Sequence, residues 1–140
     1  MKWVLRWVIL LVVAVGASQM SFAMQSNREV SPKEAKELGI AVRTQGNGQS
    51  GTKVWLEFKT AGLFKNFSHV NLEIADGTKT LVDAPLWTTH PAPESVAVYF
   101  STDPVFLPGS ILTIVVVNGT RTRVGYQIKV KDFVAAADLK

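Results

Sequence analysis

The chain has 140 residues, with 15 basic and 11 acidic side chains, two histidines and no cysteine. That length suits one domain built round a single core. Without cysteine there is no disulfide, no thiolate metal site, no thiol nucleophile and no lipid-modified cysteine.

Residues 1–23 have the order of a secretory signal peptide. Lys2 and Arg6 come first, then an apolar run from Trp7 to Ala17, then Ser21-Phe22-Ala23 in small-x-small form. The apolar run falls well short of the about 20 residues a bilayer core needs. We therefore expect cleavage after Ala23 and no stable membrane insertion afterwards. The expected location is the periplasm, the cell surface or the medium; a retained leader would instead act as an anchor. Lys2 and Arg6 leave with the leader, so the charges behind it nearly balance. No basic run of the kind nucleic acid requires is present, and nucleic acid is not an expected partner.

Residues 24–30, MQSNREV, are polar and without period, and read as a flexible segment leading into one domain over 31–140. Ser31, Pro32 and Glu34 then have the spacing of a capping box, and Gly39 supplies a stop. The spacing predicts a helix over 32–38, too short to stand alone. It must dock over an edge or end of the core, and covering Trp55 would explain that residue's place on a polar parity.

From Ile40 the period becomes two. Val54, Leu56 and Phe58 alternate with polar neighbours, as do Val70, Leu72 and Ile74, then Val96, Val98 and Phe100, then Val124, Tyr126, Ile128 and Val130. Each set is a strand with one buried and one wet face. Residues 111–117, ILTIVVV, are apolar on both parities and suit a covered central strand. Asp76-Gly77 and Asn118-Gly119 mark two hairpins, read as two-residue type I′ turns. Seven strands follow, near 40–45, 53–60, 69–75, 78–83, 95–101, 111–117 and 121–131. The expected fold is all-β, a seven-stranded antiparallel two-sheet sandwich with a short N-terminal helix.

Seven strands in this length, with these two hairpins, resemble the immunoglobulin-like or fibronectin-type sandwich. The chain also has the general look of small exported bacterial proteins. The resemblance implies an architecture, and such folds host many unrelated functions.

Function has to be sought in the loops. If each strand runs the full length, alternate connections share an end. Residues 61–68, 84–94 and 118–120 then gather Leu63, Phe64, Phe67, Trp87 and His90, with His69, Asp83, Glu94 and Arg121 nearby. Two readings stand. The aromatics plug the open end of the core, the commoner outcome for apolar loop residues. Alternatively Phe64, Phe67, Trp87 and His90 form a ligand-binding surface for a protein or glycan outside the cytoplasm. Trp55 and Tyr99 offer a second surface if both face outward. His69 and His90, with Asp83 and Glu94, form a candidate zinc or copper site, though at no known metal spacing.

No GxSxG elbow is present, and the glycine-rich GNGQSG stretch (46–51) lacks the lysine and following helix of a phosphate loop. No carboxylate pair is apparent. The expectation is a module that binds rather than catalyses, without a cofactor. The alternatives are a small metal-binding protein using His69 and His90, and a self-assembly domain pairing through an edge strand.

Overall fold

The computed structural model describes residues 24–46, 51–119 and 122–134. Eight strands form two sheets. They are β1 (Met24–Glu29), β2 (Ala41–Gly46), β3 (Thr52–Lys59), β4 (Phe67–Asp76), β5 (Lys79–Leu86), β6 (Ser95–Thr102), β7 (Ser110–Asn118) and β8 (Thr122–Lys129). A five-stranded sheet runs β1-β8-β7-β4-β5, and a three-stranded sheet runs β2-β3-β6. The expected all-β fold in two sheets is present, but with eight strands rather than seven.

The added strand is β1, in the segment read as flexible. It pairs with β8 in parallel, from Met24 opposite Thr122 to Glu29 opposite Gln127. Every other pairing is antiparallel. A polar sequence forms a strand here because this is a sheet edge that is wet on its outer side: residues 25–29 are exposed, and the inward anchor comes only at Val30. The Val30 amide continues the ladder, donating to the Gln127 carbonyl at 2.8 Å.

Helix α1 (Pro32–Glu37) bridges the five-stranded sheet at β1 and the three-stranded sheet at β2. Ser31 caps it, its Oγ accepting from the Glu34 amide at 3.3 Å. The Glu34 carboxylate does not close the box; it pairs with Arg28 of β1. Gly39 leaves the helix with φ +71°, a conformation that glycine adopts without a Cβ penalty. Ala35 is buried and Leu38 packs on the core. The helix thus docks between the sheets, and Trp55 remains on the outer face of the three-stranded sheet. There it stands opposite Tyr99 on β6, with the Lys53 ammonium 5.0 Å from the Trp55 ring and 4.4 Å from the Tyr99 ring. Trp55 and Tyr99 do form an outward pair, and a cation on their rings is an ordinary stabilising contact.

The core lies between the sheets. Val54, Leu56, Phe58, Val96, Val98 and Phe100 come from the three-stranded side. Val70, Leu72, Ile74, Leu112, Ile114, Tyr126 and Ile128 face them. Apart from Leu112 and Ile114, which lie in the run that is apolar on both parities, these are residues the period of two marked as inward. Each large side chain buried this way is worth about 1.5–3 kcal/mol in transfer free energy.

Five strands cannot be covered by three. At one edge β5 overhangs: seven of its eight residues are exposed, including Leu81 and Val82. This edge position also accommodates Pro85 inside a strand, opposite Asn71, because its missing amide is not needed by another neighbour. Strand β5 therefore extends through the first residues of what reads as a loop, to Leu86. Its turn differs from expectation too. Asp76 pairs with Lys79, so the loop residues are Gly77 and Thr78, and Gly77 alone has positive φ, +60°. That fits the type II′ arrangement rather than type I′. At the other hairpin Asn118 pairs with Thr122 and Gly119 has φ +71°; Thr120 and Arg121 lie outside the described residues. So do residues 1–23, which carry the expected leader, and 47–50.

Candidate binding surface

The antiparallel ladders put the β3–β4, β5–β6 and β7–β8 connections at one end of the sandwich, as alternation requires. Two backbone hydrogen bonds stitch them together. The Thr60 amide donates to the Glu94 carbonyl at 2.7 Å, and the Val117 amide to the Asn66 carbonyl at 3.0 Å. Glu94 is in the left-handed region, φ +61°. Its carbonyl also accepts from the Thr60 hydroxyl at 3.3 Å, and this double clasp holds a conformation that costs a non-glycine residue about 1–2 kcal/mol.

The aromatics gathered at this end divide into two kinds. Phe64, on the short 3-10 turn Gly62–Phe64, is buried. Its ring meets Phe58 at 5.2 Å and Tyr126 at 5.3 Å, both edge-on. Phe67 is half-buried and packs edge-on against Phe58 at 5.2 Å. These two rings plug the core, so Phe64 is not a ligand contact and Phe67 is mainly a packing one. Trp87 is the opposite case, with 95% of its surface exposed. It immediately follows β5, where Pro85, Leu86, Trp87 and Thr88 line an open hollow of about 340 Å³. A tryptophan left this bare leaves a large apolar area in water.

The histidines have separate surroundings. His90 is exposed on the β5–β6 crossover, its Nδ1 3.2 Å from the Ser95 carbonyl, to which the Nδ1–H tautomer donates. His69 lies on the outer face of β4, its Nδ1 3.1 Å from the Ser68 hydroxyl. Asp83 is in the middle of β5 rather than beside His90. Among the described residues no group of three or more histidine, aspartate or glutamate side chains is placed to hold a metal ion. The grouping of His69, His90, Asp83 and Glu94 as metal ligands is therefore not what the fold assembles.

What the fold assembles around His69 is a polar trough of about 330 Å³ on the outer face of the five-stranded sheet. On β4, His69, Asn71 and Glu73 occupy alternate positions and share that face. Asp83 of β5 stands opposite Glu73 in the ladder, and the Asn71 amide donates to its Oδ1 at 2.6 Å. Strand β7 supplies the floor, Thr113 and Val115, both buried. The far wall is Gln127 of β8 with Gln25 and Asn27 of β1, the Gln25 amide donating to Asn27 Oδ1 at 2.9 Å. Gly125 of β8 makes this wall possible. A Cβ there would overlap Asn27 Oδ1 and stand 2.8 Å from Thr113 Cγ2. Only glycine lets the two β1 amides lie across the sheet. Trp87 is the first residue past the last pair of the β4–β5 ladder, Val70 with Leu86, and lines its own hollow rather than the trough.

The His69 pKa lies below its ordinary 6.5, first because burial disfavours the imidazolium and second because of the Arg123 charge. The folded protein thus prefers the neutral ring. As pH falls through 6.5 the unfolded chain takes up the proton first, so the stability tied to this ring is full above 6.5 and declines below it. The expected result is a Tm that falls more steeply below pH 6.5 in the wild type than in His69→Gln, with the two curves parallel near neutrality. Thermal scans across pH check it; parallel curves throughout would disprove the linkage.

Comparison of the chain with family models, with curated proteins and with solved structures gives no match.

Proposed function

We propose that this chain is an exported, non-catalytic recognition module that meets its partner at the Trp87 end of an immunoglobulin-like sandwich. The observation that carries the reading is the 95% exposure of Trp87 on a clasped loop. Rigid, exposed aromatic side chains supply contact area at low entropic cost, and they anchor binding surfaces. The export half rests on the charged, apolar and small-residue order of residues 1–23. The immunoglobulin-like half rests on strand order. Setting β1 aside, the first, second and fifth of seven strands form one sheet and the rest the other. That is the immunoglobulin pattern with its fourth strand transferred between sheets.

Affinity capture from the protein's own extracellular milieu, wild type against Trp87→Ser, tests the reading. A partner held by the wild type and lost by a variant with unchanged Tm is the expected outcome. Equal capture by both would sink it. One observation favours a second reading, self-assembly: β5 overhangs with Leu81 and Val82 exposed, on an edge that no other described strand pairs with. Light scattering over a concentration series separates the two. Assembly through β5 predicts a mass that doubles with concentration and returns to monomer in Val82→Lys.

A further inference from the structure

We propose that the trough on the outer face of the five-stranded sheet is a saccharide site, with Trp87, just past the end of β5, as a stacking platform for a chain that extends beyond it. The inference rests on the recognition reading for the role of Trp87 and goes beyond it in naming the ligand class.

The lining chemistry selects the ligand. The trough presents amide groups, two carboxylates, a hydroxyl and a largely neutral imidazole, with Val115 as the single apolar side chain. An apolar ligand would leave most of these groups without partners, which is costly once water is excluded. An anionic ligand would meet Glu73 and Asp83, and none of the lining side chains is a lysine or arginine. A ligand dense in hydroxyl groups satisfies both kinds of group. Hydroxyls donate to carboxylates and accept from amides, so one ring of them can answer the whole lining. The Asn71–Asp83 pair, held at 2.6 Å, already fixes one acceptor in place.

Two features fit a bound ligand. Glu73 and Asp83 face each other directly across the ladder, where like charges destabilise a sheet. Two hydroxyls of one ligand, donating one to each carboxylate, relieve that repulsion. Trp87 is bare, one residue past the end of the β4–β5 ladder that carries one wall of the trough. The apolar C–H face of a pyranose covers such a ring while its hydroxyl edge faces the polar groups. At about 330 Å³ the space is at the lower end of the range for small-molecule sites, enough for one or two sugar units of a longer chain. A bare cation would answer the carboxylates but neither the amide donors nor the tryptophan.

The test uses the purified protein with a broad glycan array. Saturation-transfer NMR and calorimetry follow on cellotriose, chitotriose and mannotriose, with calcium chloride alone in parallel. The expected result is binding of at least one saccharide, with transfer to its ring C–H protons. Asp83→Asn and Gln127→Leu should each weaken it about tenfold or more, and Trp87→Ala should weaken it and remove the ligand-induced change in tryptophan emission. Asp83→Asn removes the facing charges, so its Tm should not fall; this variant separates lost binding from lost folding. Silence across the array, or binding that survives both trough variants, overturns the proposal. So does a calcium-induced rise in Tm without sugar binding, which would make the trough a cation site. If Trp87→Ser loses its captured partner while the trough variants keep it and no sugar binds, the recognition reading stands and the saccharide site falls.

Discussion

Replacing Phe64 with alanine is expected to cost about 3–5 kcal/mol of stability, a fall in Tm of roughly 10–20 °C for a domain of this size. The same change at Trp87 should stay within about 0.5 kcal/mol. Both residues are aromatic, both are in connections at one end, and both stand beside glycine- or proline-rich sequence. Their surroundings differ completely. Phe64 touches Phe58 and Tyr126 edge-on inside the core. Truncation there removes transfer free energy and two ring contacts and leaves a cavity. Trp87 packs against almost nothing. Urea titration of the two single variants checks the pair. Similar losses in both would mean that Trp87 also plugs the core, and the recognition reading would lose its footing.

Gly109→Ala should destabilise by about 3 kcal/mol or more, at the upper end for one added methyl. Gly109 closes the 3-10 segment Pro104–Gly109 that carries the chain from β6 to β7. Its Cα faces the backbone of Ala75, where the β4–β5 register shifts. A Cβ would overlap the Ala75 carbonyl oxygen and sit 3.0 Å from the carbonyl carbon. Both neighbours are main chain, so no rotamer change relieves the overlap. Gly77→Asn is the companion measurement. Gly77 has open space around its Cα, but φ +60° at the first position of a type II′ turn strains a side chain there. A loss of about 1–2 kcal/mol is expected, smaller than at Gly109. Denaturant midpoints that rank the two the other way round would contradict the close approach at Gly109.

The sequence carried much of the fold and little of the site, for physical reasons that particular residues make plain. Alternation marked the inward faces of β3, β4, β6 and β8 because burial on one face of a strand imposes a period of two. Strand β1 was invisible to that signal: MQSNRE has a wet outer edge, and its pairing with β8 joins residues far apart along the chain. The capping spacing located α1, but whether Glu34 would turn back to Ser31 or out to Arg28 depended on β1 being there. Among the end aromatics, sequence could collect Phe64, Phe67 and Trp87 at one end by alternation. It could not say which ring a 3-10 turn would swing inward. The trough was missed because its members read one by one as ordinary wet-face residues. Only register brings Glu73 opposite Asp83 and sets Asn27 over Gly125. The one local hint was Gly125 itself, a glycine inside an otherwise regular strand, which marks close approach of another group.

The parallel pairing of β1 with β8 also dictates an order of assembly. Among the described strands, the first to be synthesised has no partner until the last one exists. Ladders between neighbours in sequence can close early, whereas β1 must wait through the longest loop closure in the domain, which delays its docking. Gln25 and Asn27 arrive with it. The wall of the trough is therefore the final part of the molecule to form and, held at a sheet edge, the first to release. Anything that fits between β1 and β4 would hold β1 on the sheet like a latch and raise the resistance of that strand to proteases.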